Sequence, residues 1–290
     1  PTVTTACVAG ESGRVQPLWA DSIPDAFGVN VHYGFLSTAY GNGDAVTDFV
    51  RQLGARHIRD RQLPNQPLQQ GQFEALNEAG VGVHVTLGTA EEMPMASADM
   101  DQLLSFVAAD PDWYSSVGSV NEPNDTTRGN YTYGPNWATL VTEHQQLIDE
   151  RMTALGIDSV PRVGPALKDI EVTLKQDLES LRDLGIGEWI DYGDYHRYPM
   201  GQGFDDSPTP SNLLDERIAW ARDAYGPDMF NTESGYRTTD VVETPETYFP
   251  VPRDVQATYS TRTLMENICR GVRRTFIYEL LDDPDPSNID

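Results

Sequence analysis

One pattern dominates the chain. Short runs of β-branched and aromatic residues recur, each followed by a longer stretch with helical spacing, the alternation that argues for parallel βα units. The runs are Phe27–His32, His57–Arg61, Gly82–Leu87, Val117–Asn121, Arg162–Ala166, Tyr192–His196, Met229–Glu233 and Thr275–Leu280. Between them the i, i+3, i+4 spacing of Leu, Ile, Val and Ala predicts helices at about 45–53, 68–79, 99–109, 136–154, 171–184, 211–225 and 253–271. Leu140, Val141, Leu147 and Ile148 form one such stripe. Eight strands with seven helices predict an α/β fold, a (β/α)8 barrel with residues 1–290 as a single domain, and a doubly wound sheet is the main competitor. The competitor lacks its usual purpose, for the chain contains no G-x-G-x-x-G and no G-x-x-x-x-G-K-[ST]. The sequence stops at Asp290, just after the eighth strand. Either the first twenty-odd residues replace an eighth helix, or the native chain continues.

Charge narrows the class of partner. With 45 Asp+Glu against 20 Lys+Arg, the net charge of −25 repels phosphate backbones and anionic lipid surfaces. Neither nucleic acid nor a membrane is expected, and no apolar run is long enough to span a bilayer. Acidity of this kind favours solubility and a monomer. Cys7 and Cys269 form no zinc-ligand cluster, and either a long-range disulfide or two separate thiols fits their spacing. The opening at Pro1 suits a trimmed, mature or tagged-and-processed chain, and Asn124 and Asn130 head N-x-T triplets.

In a barrel the C-terminal strand ends share one face, so polar residues there need a reason beyond folding. The second strand ends Arg59-Asp60-Arg61, the fourth Asn121-Glu122-Pro123-Asn124, the sixth His196-Arg197-Tyr198-Pro199 and the seventh Glu233-Ser234-Gly235-Tyr236. His32 lies near the end of the first strand, and His84, within Val83-His84-Val85, reads either as a substrate contact or as a satisfied core residue. Glu122 and Glu233 thus face each other across the barrel mouth. That disposition suits glycoside hydrolysis, in which one carboxylic acid protonates the leaving oxygen while a second carboxylate attacks the anomeric carbon.

The Asn121-Glu122-Pro123 motif on strand four, with Glu233 on strand seven, resembles the signature of glycoside hydrolase clan GH-A, the retaining 4/7 barrel glycosidases. The resemblance implies Glu122 as acid/base, Glu233 as nucleophile, Arg59 beside the nucleophile and Asn121 on the substrate 2-hydroxyl. His196 and Tyr198 would contact the carboxylates. The Tyr195–Pro199 stretch is similar to strand six of the family of bacterial β-xylosidases and biofilm-polysaccharide hydrolases. Where many clan members carry a strand-eight tryptophan, this chain has Tyr278-Glu279, and an acidic residue there would bind hydroxyls or a cationic group.

Aromatic residues after the strands, Tyr33, Phe35, Tyr40, Tyr131, Tyr133, Trp137 and Tyr236, are candidate sugar platforms or loop packing. Long loops, Gly201–Asn212 among them, would shape a groove open at both ends, hence endo action. No cofactor or metal is expected. The histidines form no metal-binding pair, and Asp282, Asp283 and Asp285 lack the spacing of a calcium loop. A serine hydrolase is disfavoured by the absence of a G-x-S-x-G elbow. The expectation is a secreted retaining glycosidase acting on a polysaccharide or oligosaccharide, and the alternative is an inactive carbohydrate-binding barrel.

Overall fold

A computed structural model describes residues 21–88, 92–125, 134–169, 173–199, 210–238 and 250–281. Eight parallel barrel strands are present, the fifth in two pieces: β1 Phe27–Asn30, β2 His57–Arg61, β3 Gly82–Thr86, β4 Tyr114–Gly118, β5 Arg162–Val163 with Leu167–Lys168, β6 Gly193–His196, β7 Met229–Ser234 and β8 Val272–Ile277. Each strand pairs with its sequence neighbours, and β1 also pairs with β8. The two pieces of β5 join the ends of this order. Val163 bridges to Tyr192 on the β6 side and Ala166 to Asn121 on the β4 side, so the sheet closes on itself as a barrel.

Seven helices follow the first seven strands: α1 Gly43–Leu53, α2 Pro67–Glu78, α3 Ser97–Ala109, α4 Trp137–Ala154, α5 Leu174–Asp183, α6 Pro210–Tyr225 and α7 Arg253–Cys269. Their formation is local before it is tertiary. In α1 the Asn42 side chain accepts from Ala45 N, relieving one of the unpaired N–H groups at the helix start, and Val46 and Val50 are buried while Asp48 and Arg51 stay outside. The same division on α2 to α6 packs the outer barrel wall against Phe73, Leu76, Leu104, Ile148, Leu178 and Ile218. At roughly 1.5–3 kcal/mol per fully buried aliphatic or aromatic side chain, this layer supplies most of the driving force.

The barrel interior holds a smaller cluster. Phe230 and Phe276 fill it, with the Arg274 guanidinium 5.2 Å from the Phe230 ring. β8 begins three residues earlier than the sequence pattern suggests. Arg273 and Arg274 hide its apolar alternation, and they belong there because Asp25, in the single helical turn Ser22–Asp25, accepts from Arg273 at 2.8 Å. The His57 hydrogen bond, with the charges of Arg274 and then Arg273, holds the Asp25 carboxyl down to about 2 against the opposing effect of burial. Among the described residues no helix follows β8, and none is long and apolar enough to cross a membrane. Cys269 is disulfide-bonded, and Cys7, the only other cysteine, lies outside the described residues.

Candidate active site

The strand ends bring Asn30, Arg59, Asn121, Glu122, His196, Tyr198, Thr232 and Glu233 into one hydrogen-bonded group. Glu233, on the penultimate position of β7, is almost buried, with its side chain 10% exposed. Its Oε1 accepts from Arg59 Nη1 at 2.6 Å and its Oε2 from Tyr198 Oη at 2.8 Å. His196 Nδ1 stands 3.4 Å from Oε2. Burial alone would raise this carboxyl, but the His196 and Arg59 charges and the two hydrogen bonds outweigh it and hold Glu233 at about 2.

Glu122 sits just past β4 with φ +42°, a left-handed conformation that costs a non-glycine residue about 1 kcal/mol or more. Three contacts hold it there. Its N–H donates to Ala166 O, its carbonyl accepts from Asp125 N, and its Oε1 lies 2.9 Å from His196 Nδ1. The following Asn124 ties the loop to β5 through Lys168, donating to its carbonyl and accepting from its N–H. The turn after β4 is therefore fixed on both sides, and the Glu122 carboxyl with it.

One carboxylate oxygen of Glu122, one of Glu233 and a ring nitrogen of His196 all lie within 4.8 Å of one another. Among the described residues this is also the trio that could hold a metal ion. Its electrostatics favour a different use. Although burial opposes it, Glu233 and Glu122 raise the His196 pKa, and a protonated imidazole pairs with carboxylates rather than ligating a cation.

Arg59 organises the rest of the site. Besides Glu233, its Nη1 donates to Asn30 Oδ1 at 2.9 Å and its Nη2 to Asn121 Oδ1 at 2.5 Å. Asn30 in turn donates to Thr232 O. Asn121 is exposed and keeps its Nδ2 unpartnered among the described residues. At the other edge, Tyr278 N donates to Ser234 O and Leu280 N to Asn30 O, which places Tyr278 and Glu279 beside β7 and β1. Gly235 makes this approach possible, since at φ +157° a Cβ would stand 2.7 Å from the Tyr278 carbonyl oxygen. Glu279 Oε2 accepts from Tyr40 Oη at 2.8 Å and lies 3.2 Å from His32 Nε2, while His32 stacks on the exposed Phe35 and meets the Tyr278 ring edge-on.

Four of the residues offered by the sequence as substrate contacts or sugar platforms lie elsewhere. His84 has no exposed surface; it points into the barrel interior, bonds Ser116 Oγ at 2.7 Å and packs over Gly118 between Phe230 and Phe276. It is a core residue. Tyr236 is buried against Tyr259 and Thr263 of α7. Trp137 opens α4 and packs on the outer cluster with Val120 and Leu167. Tyr33 is likewise buried and bonds Thr47. Tyr131, Tyr133, Asp282, Asp283, Asp285, Asn130 and most of the 201–212 loop lie outside the described residues. Conversely, Asn30, Asp194 and Thr232 belong to the site's hydrogen-bonded network and were not singled out by the sequence reading. Their signal is a polar residue set between buried neighbours within or at the end of a strand, as in Val29-Asn30-Val31 and Gly193-Asp194-Tyr195.

No family model matches the sequence, and no curated protein does. Solved structures do. A family 39 glycoside hydrolase from Bacteroides cellulosilyticus superposes with a TM-score of 0.61 at 16% identity over 94% of this chain and 60% of its own. A β-glucosidase from Exiguobacterium marinum gives 0.61 at 12% identity over 93% and 91%, and an endo-1,4-β-D-mannanase from Thermotoga petrophila 0.55 at 12% over 88% of both chains. The chain spans 60% of the family 39 enzyme and 42% and 43% of two β-galacturonidase chains from Eisenbergiella tayi. At these identities the likeness establishes the fold, a (β/α)8 barrel of the kind found across clan GH-A, and it singles out no family.

Proposed function

We propose that the chain is a retaining glycoside hydrolase. The observation that carries this reading is the approach of the Glu122 and Glu233 carboxylates to within 4.8 Å, oxygen to oxygen, at the mouth of a barrel shared with glycosidases. Retaining enzymes place the pair about 5–5.5 Å apart, whereas inverting enzymes leave about 6.5–9.5 Å for a water. The two environments support different roles. Glu233, held ionised by His196, Arg59 and Tyr198, is the nucleophile; Glu122, whose side chain bonds His196 alone among the described side chains, is the acid and then the base.

In the first step Glu233 attacks the anomeric carbon, the glycosidic C–O bond breaks towards the leaving oxygen, and Glu122 gives that oxygen its proton. In the second, Glu122 takes a proton from water as the water attacks the same carbon and releases Glu233. Asn121 Nδ2 is the donor suited to a sugar hydroxyl beside the reacting carbon, and Tyr278, Phe35 and His32 offer ring surface next to the Glu279 carboxylate. The substrate is a polysaccharide or oligosaccharide. Endo action is part of the proposal and is read out by product length. The disulfide at Cys269 supports an oxidising, extracellular setting.

The test is a panel of polysaccharides and aryl glycosides offered to wild type and Glu233→Gln in parallel, with reducing ends followed over time. Turnover confined to wild type is the expected result. Binding in both proteins with turnover in neither would overturn the proposal in favour of a carbohydrate-binding barrel.

A further inference from the structure

A buried chain of hydrogen bonds runs behind the two carboxylates. Asp194 Oδ1 accepts from Tyr195 N at 2.8 Å and Thr232 N at 3.0 Å, so its other oxygen, Oδ2, is left for the Thr232 hydroxyl at 2.5 Å. Thr232 Oγ1 lies 3.2 Å from His196 Nε2. Asp194, Thr232 and His196 are 2%, 0% and 0% exposed, so no bulk water substitutes for any of these partners.

The direction of the chain follows from what each group can do. An ionised Asp194 only accepts, so the Thr232 hydroxyl spends its single proton on Oδ2 and turns a lone pair towards His196. Nε2 must then carry a proton. Nδ1 faces two acceptors, Glu122 Oε1 at 2.9 Å and Glu233 Oε2 at 3.4 Å. With Nε2 already protonated, a second proton on Nδ1 makes the ring an imidazolium.

The geometry points to Asp194 and Thr232 as positioning residues that hold His196 as an imidazolium, a fixed positive charge serving whichever catalytic carboxylate is ionised. The role in turnover rests on the double-displacement reading above. Before attack the negative charge is on Glu233 and the proton on Glu122. When the glycosyl ester forms, Glu233 becomes neutral, the Glu122 proton leaves with the departing oxygen, and the negative charge stands on Glu122. The pair carries one negative charge throughout, and Nδ1 is within 3.4 Å of both positions. The imidazolium therefore stays put while the charge it compensates moves. Of the other charged groups around His196, Arg59 on β2 opposes its protonation and Asp194 on its own strand supports it, while the His196 charge helps to keep His84 on β3 neutral. Tyr198 completes the ring of groups by donating to Glu233.

Asp194 is the point on which this turns. Burial pushes its carboxyl up, against the His196 charge, the Thr232 hydroxyl and the Arg59 charge. A protonated Asp194 would reverse the chain, with Thr232 donating to a bare Nε2 and His196 neutral.

The test is ¹⁵N NMR of the histidine side chains at pH 7, with His196 assigned by comparison with His196→Gln, together with the pH profile of kcat for Thr232→Val and Thr232→Ser. Two protonated nitrogens on His196 are expected in wild type. Thr232→Val removes the acceptor of the Nε2 proton, which lowers the His196 pKa and moves the alkaline limb of kcat down by about one pH unit. Thr232→Ser keeps the hydroxyl and restores the limb, which a merely structural role would not require. A neutral His196 in wild type, or an unmoved limb in a folded Thr232→Val, would overturn the inference. The spectrum decides the protonation state even if no glycoside is turned over, so failure of the hydrolase proposal would be seen separately.

Discussion

Arg59 Nη1 and Glu233 Oε1 are 2.6 Å apart, and their side chains are only 6% and 10% exposed. Removing one member of such a buried pair leaves the other charged and unpaired, at a cost of about 3–5 kcal/mol. Arg59 also positions Asn121 and Asn30, so it joins the two strand ends that carry the carboxylates.

Arg59→Leu is expected to lower kcat/KM by roughly 100-fold or more, because a misplaced nucleophile loses its attack geometry. Without the guanidinium the Glu233 pKa rises, so the acidic limb of the kcat/KM profile moves to higher pH. Steady-state kinetics from pH 3 to 8 check both effects, and an unchanged limb would separate Arg59 from Glu233.

Loss of each carboxylate has its own signature. Glu122→Ala is expected to slow substrates with poor leaving groups by about 10²–10⁴-fold while sparing activated aryl glycosides, which need no protonation. Glu233→Ala is expected to lose at least about 10⁴-fold on all of them. Azide partly rescues the second variant and gives a glycosyl azide of inverted configuration, identified by NMR of the product.

Acid should weaken the fold through Glu233. Its carboxyl lies at about 2 in the folded chain against an ordinary value of 4.5, so its ionised form stabilises the fold fully above about 4.5. That contribution is lost as pH falls from 4.5 towards 2. Thermal unfolding of Glu233→Gln, less stable than wild type at pH 7, is expected to converge on wild type over this window.

His84 should affect stability and not substrate affinity. Its ring is buried and neutral in the fold, with burial and then Arg59 pushing its pKa well below 6.5. His84→Ala leaves a cavity between Phe230 and Phe276 and an unpaired Ser116, at a cost of about 2–4 kcal/mol. The expected outcome is a lower unfolding temperature with KM unchanged. Because unfolding exposes a ring that takes up a proton, wild-type stability falls as pH drops below 6.5, and the variant loses that part of the dependence.

The strand pattern carried the architecture because β-branched and aromatic residues such as Val29, Ile58, Val83, Val85, Val117, Tyr195 and Phe230 are buried in short strands between turn residues, and seven helices with apolar stripes separate them. β8 was less legible, since Arg273 and Arg274 interrupt its apolar pattern for the sake of Asp25. In the site, Glu122, Glu233, Arg59, Asn121, His196 and Tyr198 sit where the strand-end argument puts them. His84 misled because a histidine between valines looks the same facing substrate or facing Phe276. Asn30, Thr232 and Asp194 were hidden for the opposite reason: their hydrogen bonds run between the strands β1, β6 and β7, a relationship that spacing along one strand does not contain.

The measurement closest to the central claim is ¹H NMR of the anomer released in the first minutes of hydrolysis, before mutarotation mixes the products. Retention of configuration is the expected result, the anomeric carbon being attacked first by Glu233 and then by water. Release of the opposite anomer first would mean that water attacks directly, and would contradict the nucleophile role that the 4.8 Å approach of Glu122 and Glu233 supports.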